Sequence, residues 1–321
     1  MNSESRYVAP VSARHQLNAK TPLRKHIRKY WQLYVMVAIP LAAFLIFKYV
    51  PMFGNILAFR KFRAGGSPFG TGWIGLKNFQ RFLRDKAFWR AFRNTLITSS
   101  TNLAVNFPVP IIFALLLNEL RSLKFKKLVQ TVSYMPRFVS TIVMITMLNE
   151  ILSPTSGILN LILKNSFGMK PIYFVNEPRF FRALYILTDM WQFTGWSAIL
   201  YLAAITGINS ELYESAMIDG ANRWHQTLFI TIPSIMSTIM VMFILSVGRL
   251  LSVGFEKILL LYSPENAIVS DVIDTFVYRY GIVNNNYSFA TAVGLFGGVI
   301  GVILVSSANF ISHKLTGDGL Y

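Results

Sequence analysis

Trp31 to Phe53 reads WQLYVMVAIPLAAFLIFKYVPMF, a run in which Lys48 is the one charged residue. A hydrocarbon core about 30 Å thick takes roughly 20 apolar residues at ~1.5 Å each, so this run is long enough to cross a bilayer. Pro40 and Pro51 and the missing A-x-A cleavage site argue against a removed signal peptide. Five further runs of similar character follow, at about Asn94 to Leu117, Leu128 to Leu152, Ala183 to Gly207, Ser234 to Leu261 and Phe289 to Ile311. Together they predict an all-α polytopic membrane helix bundle with about six transmembrane helices. Pro108, Pro110 and Pro136 fall inside these runs, which a packed bundle tolerates because neighbours pair the freed backbone groups.

Composition agrees. Of 321 residues 53% are hydrophobic and 14% charged, where a soluble domain carries about a quarter charged. Mean hydropathy is +0.46. A net charge of +17 would by itself suit either nucleic acid or an anionic membrane, and the apolarity selects membrane lipid and excludes nucleic acid as the partner. With no cysteine there is no disulfide, thiol nucleophile or thiolate metal site, and four scattered histidines provide no zinc spacing. No catalytic residues, no metal and no cofactor are expected in this chain.

Lys and Arg are tied at thirteen on each side of the expected topology. Arg24, Lys25, Arg28 and Lys29 break the tie, because they sit against the first span, which usually dominates orientation. The expectation is N-in and C-in. It leaves an excess on the expected outer side, with eight cations between Arg60 and Arg90 and four more at Lys164, Lys170, Arg179 and Arg182. Gly70, Gly72 and Gly75 in that first outer segment fall in GxGxxG order but lack the βαβ context of a dinucleotide site, and Leu76-Lys77 after Gly75 fails as a P-loop. Leu76, Phe79, Phe82, Leu83 and Phe88 recur at near-helical spacing among basic residues, as in an amphipathic helix lying in the membrane interface or a plain surface helix.

Between the fourth and fifth runs lies Asn209-Ser-Glu-Leu-Tyr-Glu214-Ser-Ala216-Met-Ile-Asp219-Gly220-Ala221-Asn-Arg-Trp224, continuing to Ile230-Thr-Ile232-Pro233. Asn209 or Ser210 can cap a short helix with Glu211 and Glu214 near its positive end, Gly220 supplies a turn, and Asn222 can cap a second short helix. Pro233 marks the return to the membrane. The shape is a helix-turn-helix knob with Tyr213, Met217 and Ile218 beside an acidic, small-residue surface.

This segment resembles the cytoplasmic loop of bacterial ABC importer permeases, E-A-A-x3-G-x9-I-x-L-P, with Glu214, Ala216, Gly220, Ile230 and Pro233 in register and Ser215 and Ile232 as mild departures. Asp219-Gly220-Ala221 and Trp224 look like the carbohydrate-uptake branch. Trp73-x-Gly75-Leu76-x-Asn78-Phe79, Gly157-Ile-Leu-Asn160, Trp191 and Asn309-x-Ile-Ser-His-Lys314 extend the likeness toward permeases for complex oligosaccharides of the pectin or alginate type.

The resemblance implies a basic cytoplasmic N-terminal segment at 1–30, a transmembrane permease domain at 31–311 with a coupling loop at about 209–233, and a cytoplasmic tail at 312–321. It implies a multi-pass subunit of the bacterial cell membrane that couples ATP hydrolysis in a partner to oligosaccharide import, with acidic, uronate-containing chains as the finer expectation. Implied partners are a second homologous permease forming a heterodimer, two ATPase subunits that bind ATP and Mg, and an extracytoplasmic sugar-binding protein. Glu214 would face the ATPase, Gly220 would make the turn, and Ala216 and Ala221 would permit close approach.

For the substrate pathway, Asp189 stands out as a charge within a span. Asp189, Gln192 and Trp196 lie three and four residues apart, so one helix wall could carry all three beside Trp191, as sugar contacts or as an interfacial belt. Arg249 and Arg137 could pair with Asp189 or Glu150 or bind an anionic substrate. Gly294, Gly297, Gly298 and Gly301 allow close helix approach, with packing inside the bundle favoured over a contact with a second permease. The rival readings are a secondary transporter, which would show inverted repeats, a membrane-bound enzyme, and a non-transporting membrane scaffold.

Overall fold

The computed structural model describes residues 27–62 and 65–316. Most of the expected basic segment at 1–30 and the end of the tail at 312–321 lie outside the described residues, as do Arg63 and Ala64.

The chain divides into two compact units, 1–55 and 56–321. In the first, α1 (Trp31–Phe44) continues through a π turn at Leu45–Tyr49 into a 3-10 stretch, so that Trp31–Phe59 forms a helical rod of 29 residues. Apolar side chains occupy every side of it, as on a helix whose solvent is lipid.

The second unit opens with two-residue strands, Arg60–Lys61 (β1) paired antiparallel with Gly72–Trp73 (β2). Gly70 takes φ +75° at the turn, where a Cβ would lie 2.9 Å from the Lys61 carbonyl oxygen. The glycine triplet therefore serves a short hairpin. Next come α2 (Lys77–Leu83) and α3 (Lys86–Asn106), separated where the Asp85 side chain accepts from the Ala87 N–H at 2.8 Å and caps the second helix. The amphipathic stretch is thus two helices. Part of its apolar face covers protein, since Phe82 and Phe88 are fully buried against Phe276 and Phe289, while Leu76 and Leu83 remain exposed. Each such Phe contributes about 1.5–3 kcal/mol by burial.

The second span runs through α3 into α4 (Pro108–Asn118), beginning eight residues earlier than expected because the Asp85 cap starts it. The third run is not one straight helix. α5 (Leu123–Tyr134) runs into a 3-10 turn at Met135–Phe138, and α6 (Thr141–Leu152) restarts after Ser140, whose hydroxyl accepts from the Val143 N–H; the two parts are bent by 99°. Pro136 at the break has no N–H to continue the ladder. α7 (Ile158–Phe167) leads to α8 (Pro178–Thr206), 29 unbroken residues.

The fifth run also differs from expectation. Arg223–Ser234 and α11 (Met236–Val247; α9 and α10 belong to the loop described below) are bent by 61°, and the chain then leaves the helix at Gly248. It resumes only after Gly254, at φ +69°, as the short α12 (Phe255–Leu261). α13 (Ile273–Tyr278) precedes α14 (Tyr287–Thr316). Among the described residues three helices are long and apolar enough to cross a membrane, or five if each bent pair counts once. α8 has the length and carries Asp189 and Gln192 on one side.

Glycines mark one close crossing and one open groove. At Gly195 of α8 a Cβ would collide with the Ser133 carbonyl, so α5 passes directly over this position. Gly294, Gly297, Gly298 and Gly301 meet nothing within 4 Å of a built Cβ and border a groove of about 640 Å³. This corrects the expected close packing of that stripe inside the bundle: among the described residues none comes within contact of these four positions, although Ile273 and Val277 of the neighbouring helix border the groove. Gly195→Val should lower the unfolding temperature of the solubilised permease, with an overpacking cost of about 1–3 kcal/mol. Gly298→Ala should leave it unchanged, and equal melting of the two variants would contradict the crossing.

Candidate functional sites: a capped loop and a polar cavity

The loop after α8 is built by local caps. α9 (Ser210–Ile218) is capped by Asn209, whose side-chain oxygen accepts from the Glu211 N–H at 3.1 Å. It ends in a Schellman motif: the Gly220 N–H donates to Met217 O at 3.1 Å and the Ala221 N–H to Ala216 O at 2.8 Å. That motif requires the left-handed conformation, and Gly220 supplies it at φ +79°. Asn222 caps α10 (Arg223–Gln226), accepting from the His225 N–H at 2.9 Å. A π turn at Thr227–Thr231 carries the chain through Ile230 to Pro233.

One longer contact closes the knob on itself and another holds it to the bundle. The Tyr213 hydroxyl lies 2.9 Å from Thr231 Oγ1, and Arg223 donates to Glu119 at 2.8 Å, at the end of α4. Glu214 and Asp219 are exposed, and Ile218 (87% exposed), Phe229 (71%) and Trp224 (68%) project among them. The loop thus exposes large apolar side chains among carboxylates.

The second site is a cavity of about 580 Å³ on one side of α8. Asp189 and Gln192 line it, as do Asn102 and Asn106 of α3, Arg249, Glu256 and Lys257. Asp189 Oδ1 is 2.6 Å from Lys257 Nζ, and its Oδ2 accepts from Asn102 Nδ2 at 3.0 Å. Lys257 also donates to the Tyr185 carbonyl at 2.8 Å and sits over the Tyr185 ring. The Tyr185 hydroxyl donates to Val253 O at 2.8 Å, pinning the broken segment before α12 to α8. Asn106 Nδ2 donates to Asn102 Oδ1 at 2.7 Å, while its own Oδ1 is buried with no partner. Gln192 donates to the Val139 carbonyl at 2.8 Å.

Of the four pathway residues expected from sequence, the structure brings Asp189 and Gln192 to this cavity. Trp196 packs edge-on against Phe138 at 5.9 Å, and Trp191 is half exposed; neither lines the cavity. The partner of Asp189 is neither Arg137 nor Arg249. Arg137 lies over the Phe193 ring at 5.1 Å, and no ion pair among the described residues includes Arg249. Sequence reasoning missed Lys257, which was hidden inside an expected span; a lysine there was itself the signal.

The profile of binding-protein-dependent transport system inner membrane components matches residues 106–317, a segment that includes the capped loop and most of the cavity lining, though not Asn102. The chain belongs to this family. It is 42% identical over 289 residues to the polygalacturonan/rhamnogalacturonan transport system permease protein YteP of Bacillus subtilis, covering 90% of each chain. It is 39% identical to LplB of the same organism, covering 92% of each. Among solved structures it is similar to a bacterial alginate ABC transporter in complex with alginate pentasaccharide-bound periplasmic protein, at TM-score 0.84 and 39% identity over 93% of this chain and 99% of that one. The protein is therefore a multi-pass inner-membrane permease subunit of an ABC sugar importer. ATP hydrolysis belongs to a separate subunit, and transport depends on a substrate-binding protein. Family membership sets aside the secondary-transporter and scaffold readings.

Proposed function

We propose that this permease imports acidic, uronate-bearing oligosaccharides. The observation that carries the reading is the end-to-end similarity to YteP, named for polygalacturonan and rhamnogalacturonan, and to a transporter described as importing the acidic polysaccharide alginate, at 40% identity over 92% of this chain. The chain pairs with a second homologous permease as a heterodimer on two ATPase subunits, which bind ATP and Mg. The loop at 209–233 is the coupling element: Glu214 and Asp219 face the ATPase, Ala216 and Ala221 allow close approach, and Gly220, Ile230 and Pro233 set its shape. The caps and Schellman motif support this role, because they make the knob stiff enough to transmit displacement. The cavity beside α8, with Asp189 and Gln192 on its wall, is the substrate path, and Trp191 and Trp196 lie outside its lining.

In the assembled complex, binding protein loaded with an oligouronate should raise ATP hydrolysis well above the basal rate, and a neutral glucan oligomer of equal length should not. Equal stimulation by both would refute the acidic substrate class. Gly220→Pro and Glu214→Lys should leave the protein in the membrane but reduce substrate-stimulated hydrolysis. Wild-type coupled turnover in both variants would remove the coupling role from this loop.

A further inference from the structure

Four ionisable groups with opposed charges line the cavity: Asp189, Glu256, Arg249 and Lys257. Glu256 and Arg249 are exposed, whereas the Lys257 and Asp189 side chains are 7% and 17% exposed. The Lys257 ammonium is saturated by Asp189, the Tyr185 carbonyl and the Tyr185 ring, so it has no donor left for a substrate. Pinning α12 to α8 does not need the ion pair, because the Tyr185 hydroxyl and the Lys257 bond to the Tyr185 carbonyl already do that. A buried ion pair is also weak as a source of stability compared with apolar groups of the same shape. What the pair changes is the charge of the wall. With Lys257 in place the four groups sum to zero and the wall is otherwise lined by the neutral amides of Asn102, Asn106 and Gln192. Without it, Asp189 would be a bare carboxylate in a poorly screened cavity, repelling any anionic chain.

We infer that Lys257 is a specificity-determining residue that admits anionic oligosaccharides by cancelling Asp189. The inference rests on the substrate class proposed above. Its role is indirect, since it acts through the charge of Asp189 and touches no substrate itself.

The test uses the whole complex with its own binding protein in vesicles, and reads uptake of trigalacturonate against its fully methyl-esterified, neutral counterpart. Lys257→Met should lower the acid-to-neutral uptake ratio roughly tenfold relative to wild type, the size that one uncompensated charge about 10 Å away produces in a medium of intermediate polarity. Adding Asp189→Asn to Lys257→Met should return the ratio to the wild-type value, whatever the absolute rate. The double variant keeps shape without charge. Asp189→Asn alone leaves the Lys257 charge uncancelled and should raise the ratio, so an unchanged ratio in Asp189→Asn overturns the inference even if Lys257→Met fails to assemble. A double variant still lacking the acid preference, or a Lys257→Met ratio equal to wild type, would overturn the inference while leaving the substrate class intact. Wild-type complex that takes up no trigalacturonate or other oligouronate would overturn both.

Discussion

The cavity side of this permease depends on how the break between Gly248 and Gly254 is held against α8. At membrane depth a non-helical stretch leaves backbone groups that lipid will not pair, so such a break persists only where protein covers it. Here the Tyr185 hydroxyl pairs the Val253 carbonyl of the break, and Lys257, in the helix that follows, ties that helix to α8 by donating to the Tyr185 carbonyl. Removing either leaves a buried polar group unpaired, at a cost of about 1–3 kcal/mol for a neutral group and more for a charge. The break shapes one wall of the cavity and turns Arg249 and Glu256 toward it.

The same helix links the two sites. α8 is unbroken from Pro178 to Thr206, and Asn209, the cap of α9, follows two residues after Gly207. Asp189 and the loop are therefore separated by about 17 helical residues, roughly 25 Å of rigid rod. On the other side of the loop, the bent pair Arg223–Ser234 and α11 leads to the Gly248 break. A displacement of the knob would reach the cavity through both of its flanking helices at once, and the Tyr213–Thr231 contact ties those two arms together at their base.

Much of this was legible in the sequence, and the misses have physical causes. Apolar runs marked the spans because lipid demands continuous hydrophobicity, and the caps at Asn209, Gly220 and Asn222 were readable because capping is local chemistry. The bends after Tyr134 and before Met236 were not readable from apolarity, which is the same for a straight and a broken span. Pro136 hinted at the first, but the angle depends on the tertiary crossing at Gly195. Trp196 shared a helical face with Asp189 and still missed the cavity, because it packs edge-on against Phe138 in the turn after α5 instead. Lys257 was absorbed into an apolar run, and only the fold shows it within 2.6 Å of Asp189.

The central claim is that the knob at 209–233 faces the cytoplasm and seats in the ATPase. The chain contains no cysteine, so a single one at Ile218, the most exposed of the large apolar residues there, gives an unambiguous probe. In the assembled complex a photoreactive maleimide on Ile218→Cys should crosslink to the ATPase subunit, and ATP-driven turnover should change the yield. Adducts with the extracytoplasmic binding protein, or none with the ATPase in a complex that still transports, would contradict the account.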